Sequence, residues 1–101
     1  EFRPGSLHAI RANVAALRLR ERCRIFKKDA IPFVESLEPG AYDLAFADPP
    51  YESRLLDRVV AAWQARKFAR VLAVEHARGH QLARGARHRK FGDTAITIYG
   101  A

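Results

Sequence analysis

Methionine is missing altogether from these 101 residues, and a chain that opens Glu1-Phe2-Arg3 without one reads as a piece of something longer. Cysteine occurs once, at Cys23, so no internal disulfide can form; nothing demands an oxidising compartment, and a cytoplasmic location is expected. A lone thiol also argues against a structural zinc site, and no metal is expected. No apolar run approaches the roughly 18 to 20 residues of a membrane span, and no basic start leads into an apolar signal core, so no membrane partner is expected either. A Gly-rich turn of the G-x-G type is likewise absent ahead of the first helical stretch, which removes the phosphate-cradling half of a doubly wound nucleotide-binding fold. Acidic residues are scarce: eleven Asp and Glu face eighteen Lys and Arg, a net charge of +7. A small domain with that balance is drawn to polyanions, and nucleic acid is the first expectation. Fourteen of the cations are arginine, the residue that forks phosphates and stacks on bases.

With 49% apolar and 29% charged residues, the length suits one compact domain over 1–101. Leu7, Ile10, Val14 and Leu17 recur at three- and four-residue steps and predict a helix from Ser6 to Leu17, capped by Ser6. Cys23 to Phe26 reads as a short strand with Cys23 as a core thiol, and Asp29 as the cap of a short helix through Phe33, Val34 and Leu37, stopped by Pro39-Gly40. The run Tyr42 to Ala47 is apolar except for Asp43, as in a strand buried on both faces of a parallel sheet. Helical spacing resumes from Ser53 to Ala65 with Leu55, Leu56, Val59, Val60 and Trp63, the last read as packing. Val71 to Val74 is another buried strand, ending at Glu75-His76. A polar, basic loop follows to Ala86, then a hairpin of Arg87 to Phe91, Gly92-Asp93 and Thr94 to Tyr99. Strands alternating with helices predict an α/β fold, with a mostly parallel sheet closed by a C-terminal antiparallel hairpin.

Ligands of open α/β sheets bind beyond the carboxyl ends of the strands. Glu1, Asp29, Asp48 and Glu75 fall at such ends in this reading. Asp48-Pro49-Pro50-Tyr51 is the specific signal, since two prolines end the strand at once and stiffen the turn. The Asp48 carboxylate and the Pro49 carbonyl are both acceptors, and two converging acceptors suit the two protons of an exocyclic amine. An aryl amine is a poor nucleophile because its lone pair is delocalised into the ring; holding both protons favours a more pyramidal nitrogen. Tyr51 supplies a flat face for a base drawn out of its stack. The same four residues would serve guanine N2 and adenine N6 alike.

The segments CRIFKKDAIPFVESL (Cys23 to Leu37), YDLAFADPPY (Tyr42 to Tyr51), VLAVEH (Val71 to His76) and RKFGDTAITIYG (Arg89 to Gly100) resemble the S-adenosylmethionine-dependent 16S rRNA guanine-N2 methyltransferases. The resemblance runs from Glu1 to Tyr99 and implies the later two-thirds of a Rossmann-like class I methyltransferase domain, without the family's first strands and Gly-rich loop. It implies S-adenosylmethionine as cofactor, with Glu1 on the ribose hydroxyls and Asp29 and the Ala30 backbone on the adenine. It further implies Asp48, Pro49, Pro50 and Tyr51 as the catalytic loop. The implied partner is ribosomal RNA, free or within a partly assembled small subunit. Two other readings stay open: an adenine-N6 nucleic-acid methyltransferase, and a basic RNA-binding fragment without catalysis.

Among the remaining residues, Arg84, Arg87, Arg89 and Lys90, with Arg78 and His88 close by, form the densest basic segment. The loop before the hairpin borders the sheet end that carries Asp48, so these cations are expected on RNA phosphates. His76 and His80 have a spacing that could hold a metal on a helix, but the intervening Ala-Arg-Gly disfavours one, and they read as loop histidines.

Overall fold

A computed structural model describes residues 1–50 and 54–100. Two compact units divide the chain, Glu1–Phe33 and Val34–Ala101. In the first, helix α1 spans Pro4–Ala16. Pro4 starts it, because its fixed φ suits the first helical position and its missing N–H would have had no partner there. Arg3 therefore occupies the cap position expected for Ser6, and its carbonyl accepts the first helical bond from the Leu7 amide at 2.9 Å. Of the apolar stripe only Leu7 is fully buried; Leu17 is 67% exposed. A 3₁₀ turn, Arg20–Arg22, follows.

Cys23 to Phe26 forms no strand. The segment is extended at Cys23, but its main-chain bonding to the start of the chain is limited to the Glu1 ammonium on the Phe26 carbonyl at 3.3 Å and the Lys28 amide on the Glu1 carbonyl at 3.2 Å. No ladder forms, and Cys23 is exposed rather than a core thiol. Helix α2, Ala30–Glu35, begins where Asp29 predicts: its Oδ1 accepts the Ile31 amide at 3.2 Å.

The second unit carries the sheet, with strands β1 (Tyr42–Ala47), β2 (Ala69–Ala77), β3 (Arg87–Phe91) and β4 (Thr94–Gly100) in the order β1-β2-β4-β3. β1 and β2 are parallel, while β4 runs antiparallel to both of its neighbours, β2 and β3. Three of the four strands thus share one direction and only β4 is reversed. Gly92, at φ 61°, turns the hairpin in the left-handed conformation that glycine adopts without strain.

Helix α3, Leu55–Arg66, returns the chain from β1 to β2 and buries Leu56, Val59, Val60 and Trp63. It lies on the face carrying Tyr99, whose ring centroid is 5.7 Å from that of Trp63. The Trp63 indole N–H donates to the Ala69 carbonyl at 2.7 Å, so the only polar atom of that side chain is satisfied inside the core. Along β4, Ala95, Thr97 and Tyr99 are buried while the residues between them are only half-buried, the period of two that a strand covered on one face requires.

β1 departs from the expected burial on both faces. It stands at an edge of the sheet with β2 as its neighbour, and Leu44 and Phe46 are 52% and 79% exposed. A continuous apolar run thus specified the strand, whereas its burial depends on what flanks it.

Candidate functional site

β1 and β2 leave the sheet at the same end. Ala47 pairs with Val74, so the next step of the parallel register brings Asp48 level with Glu75. Asp48 and Pro50 are exposed and Pro49 is half-buried. Tyr51 lies outside the described residues. Glu75 and His76 belong to β2 rather than following it, because the strand continues to Ala77. His76 is accordingly a buried strand residue, not a loop histidine.

The loop from Arg78 to Ala86 is fastened at several points. At its start the Arg78 amide donates to the Asp93 carbonyl at 2.9 Å, and at its end the Ala86 amide donates to the Ile98 carbonyl at 2.8 Å. Between them the Tyr99 hydroxyl donates to the Ala83 carbonyl at 2.6 Å, and the His80 Nε2 is 2.9 Å from Asp57 Oδ1 on α3. Burial, with the Asp57 carboxylate adding to it, raises the Tyr99 phenol above its ordinary pKa and keeps it a donor. Gly85 is required for a steric reason: a Cβ there would sit 2.6 Å from the Ile98 carbonyl oxygen and 2.7 Å from Thr97 Cγ2.

This loop and β3 enclose a groove of about 510 Å³, to which Arg78, His80, Arg84, Arg87, His88 and Lys90 contribute. That volume falls in the range of small-ligand sites. Among the described residues no carboxylate lines it. Arg84, Arg87 and Lys90 contribute to this groove, whereas Arg89 is exposed and not part of its lining.

Behind the groove lies a hydrogen-bond chain that the sequence reading missed. His76 Nδ1 is 2.9 Å from the Ala77 carbonyl, His76 Nε2 is 2.8 Å from Thr97 Oγ1, and His88 Nδ1 is 2.9 Å from the same hydroxyl. A signal did exist: Thr97 falls on the inward period of an otherwise apolar β4, and a buried hydroxyl needs a partner. Among the described residues no group of His, Cys, Asp and Glu could hold a metal ion.

In the first unit, main-chain bonds tie Glu1 to Phe26 and Lys28, in the stretch that leads into Asp29. Glu1 Oε1 accepts the Arg3 amide at 2.9 Å and the Arg3 Nε at 3.2 Å. The amide bond, followed by the guanidinium bond, holds the Glu1 carboxyl below its ordinary pKa. Both of those bonds fall on Oε1, and the bond of Asp29 to the Ile31 amide falls on Oδ1. Each carboxylate thus keeps acceptor capacity at its second oxygen.

Residues 2–100 match the family of conserved hypothetical protein 95, and the chain belongs to it. No protein of curated function matches it in sequence. Several solved structures are similar, among them the following three. A candidate methylase from Haemophilus influenzae aligns at 14% identity and a TM-score of 0.80, over 98% of this chain and 68% of its own. A candidate methyltransferase from Escherichia coli aligns at 18% identity and a TM-score of 0.74, over 98% of this chain and 58% of its own. A hypothetical protein from Thermus thermophilus aligns at 19% identity and a TM-score of 0.75, over all of this chain and 60% of its own. What is shared with them is the Rossmann-like α/β fold, and this chain spans between 58% and 68% of their lengths.

Proposed function

We infer that the protein is a nucleic-acid methyltransferase that moves a methyl group from S-adenosylmethionine to the N2 amine of a guanine in small-subunit ribosomal RNA. One observation carries this reading: Asp48-Pro49-Pro50 leaves the carboxyl end of β1 level with Glu75 of β2, the end at which open α/β sheets bind their ligands. The candidate methylase and methyltransferase among the similar structures support it.

Glu1, Asp29 and the Ala30 backbone would hold the adenosine end of the cofactor; the acceptor oxygens of the two carboxylates match its ribose hydroxyls and adenine amine. Bound there, the cofactor supplies a methyl group on a positively charged sulfur, an electrophile that needs no metal. Asp48 and the Pro49 carbonyl accept the two amine protons and orient the nitrogen lone pair, with Pro50 stiffening the turn and Tyr51 stacking on the base. The nitrogen gains a methyl group and gives up one proton, which Asp48 accepts. Arg84, Arg87, Arg89 and Lys90 attract the RNA phosphates, whether the RNA is free or in a partly assembled subunit in the cytoplasm.

The test is transfer of labelled methyl groups from S-adenosylmethionine to small-subunit RNA by the full-length protein and its Asp48→Ala variant. The variant loses about a hundred-fold or more in turnover, as expected when a positioned proton acceptor is removed. Its cofactor affinity stays within about two-fold, because Asp48 addresses the amine and not the cofactor. Unchanged turnover would overturn the assignment.

A further inference from the structure

The proton positions in the chain behind the groove follow from its geometry. A carbonyl only accepts, so His76 Nδ1 carries a proton toward Ala77. With no extra proton on the pair of histidines, His76 Nε2 is then a bare acceptor and takes the Thr97 hydroxyl proton. The Thr97 oxygen in turn accepts from His88 Nδ1, which leaves His88 Nε2 without a proton. Moving the His88 proton to Nε2 would set two lone pairs against each other at 2.9 Å. One added proton changes this wherever its charge settles. On His88 it appears directly at Nε2. On His76 it makes Nε2 a donor to Thr97, whose hydroxyl then donates to His88 Nδ1, and the single proton of His88 moves to Nε2.

We propose that the groove binds a phosphodiester of a single-stranded nucleic acid, with His88 Nε2 as a donor, and that binding takes up one proton on the His76–Thr97–His88 chain. The groove offers Arg78, Arg84, Arg87 and Lys90 and, among the described residues, no carboxylate, so an anion is the ligand its lining selects. The groups facing His88 are Thr97 of β4, His76 of β2 with its ring 5.8 Å away, Lys90 of its own strand, and the arginines and His80 of the lining. Asp57 bonds His80 at 2.9 Å and is the carboxylate held next to this cluster. A phosphodiester stays anionic and accepts only, so it favours the protonated chain and cannot satisfy a bare Nε2. The source of the phosphate rests on the nucleic-acid reading above; the proton coupling rests on the hydrogen bonds alone.

The experiment is titration calorimetry of the protein with decauridylate and with the dinucleotide UpU, in two buffers of different ionisation enthalpy. At about pH 8, where imidazoles are ordinarily neutral, wild-type protein takes up close to one proton per bound phosphodiester. Affinity falls by up to about ten-fold per pH unit as pH rises. His88→Gln keeps a permanent N–H donor at an exposed position, so it binds without proton uptake. Thr97→Val frees His88 to carry its proton on Nε2, and uptake falls below half; its circular dichroism reports whether it is folded, and His88→Gln decides the matter if it is not. Binding by wild-type protein without uptake, or undiminished uptake in His88→Gln, overturns the proposal. No cofactor is present, so coupled binding by a protein that transfers no methyl group would refute the methyltransferase reading alone. Methyl transfer without coupled binding would refute the proton chain alone.

Discussion

Replacing Thr97 by valine separates the hydroxyl from the shape of the side chain. Valine fills the same volume on a residue only 4% exposed, so no cavity opens. What disappears is the atom that bonds His76 at 2.8 Å and His88 at 2.9 Å. His88 is exposed and exchanges its lost partner for water, at little cost. His76 is 2% exposed and cannot, so its Nε2 stays buried without a donor, a loss of about 1 to 3 kcal/mol. Thr97→Ser is the control. It keeps the hydroxyl and removes one methyl group, worth about 0.8 kcal/mol. Urea unfolding should therefore rank wild type above serine and serine above valine. For a chain of this size, a loss near 2 kcal/mol lowers the Tm by roughly 10 °C. A valine variant as stable as the serine variant would mean that the buried hydroxyl contributes no more than the methyl group and that His76 needs no donor from Thr97.

Gly85→Ala places a Cβ 2.6 Å from the Ile98 carbonyl oxygen, a main-chain atom that cannot rotate aside, so the loop must shift. Overpacking of this kind costs about 1 to 3 kcal/mol, and hydrogen exchange at the Ala86 amide, now 2.8 Å from Ile98, should quicken. Converting Arg84, Arg87 and Lys90 together to alanine should flatten the dependence of log affinity for single-stranded RNA on log salt by about 2, near 0.7 per lost phosphate contact, as read from binding across a salt series. Arg89→Ala, outside the groove lining, should change it by less than one such contact.

The legible parts of the chain are those whose signal is local. Tyr42–Ala47 has the bounds its apolar run announced, because Pro49 and Pro50 forbid a longer ladder. The hairpin is placed by Gly92 and by the alternation of Thr94 to Tyr99. Asp29 caps α2 because a short acceptor side chain before a helix has little else to do. Properties set by neighbours were not legible. Cys23 to Phe26 has strand-like residues but no ladder, and Leu44 and Phe46 read as buried yet stand on an edge strand. The basic segment was visible as charge, but which of its cations line the groove depends on how the Arg78 to Ala86 loop packs against β3. The bonds of His76 and His88 to Thr97 span 21 and 9 residues, and only the pairing of three strands brings those side chains together.

The Asp48 loop is proposed above to direct a methyl group onto the N2 amine of guanine. The most direct measurement is mass spectrometry of nucleosides from small-subunit RNA treated with the full-length protein and isotopically labelled S-adenosylmethionine. Labelled N2-methylguanosine, lost in the Asp48→Ala variant, is the predicted result. Label in N6-methyladenosine instead, or no label in any nucleoside, would contradict it.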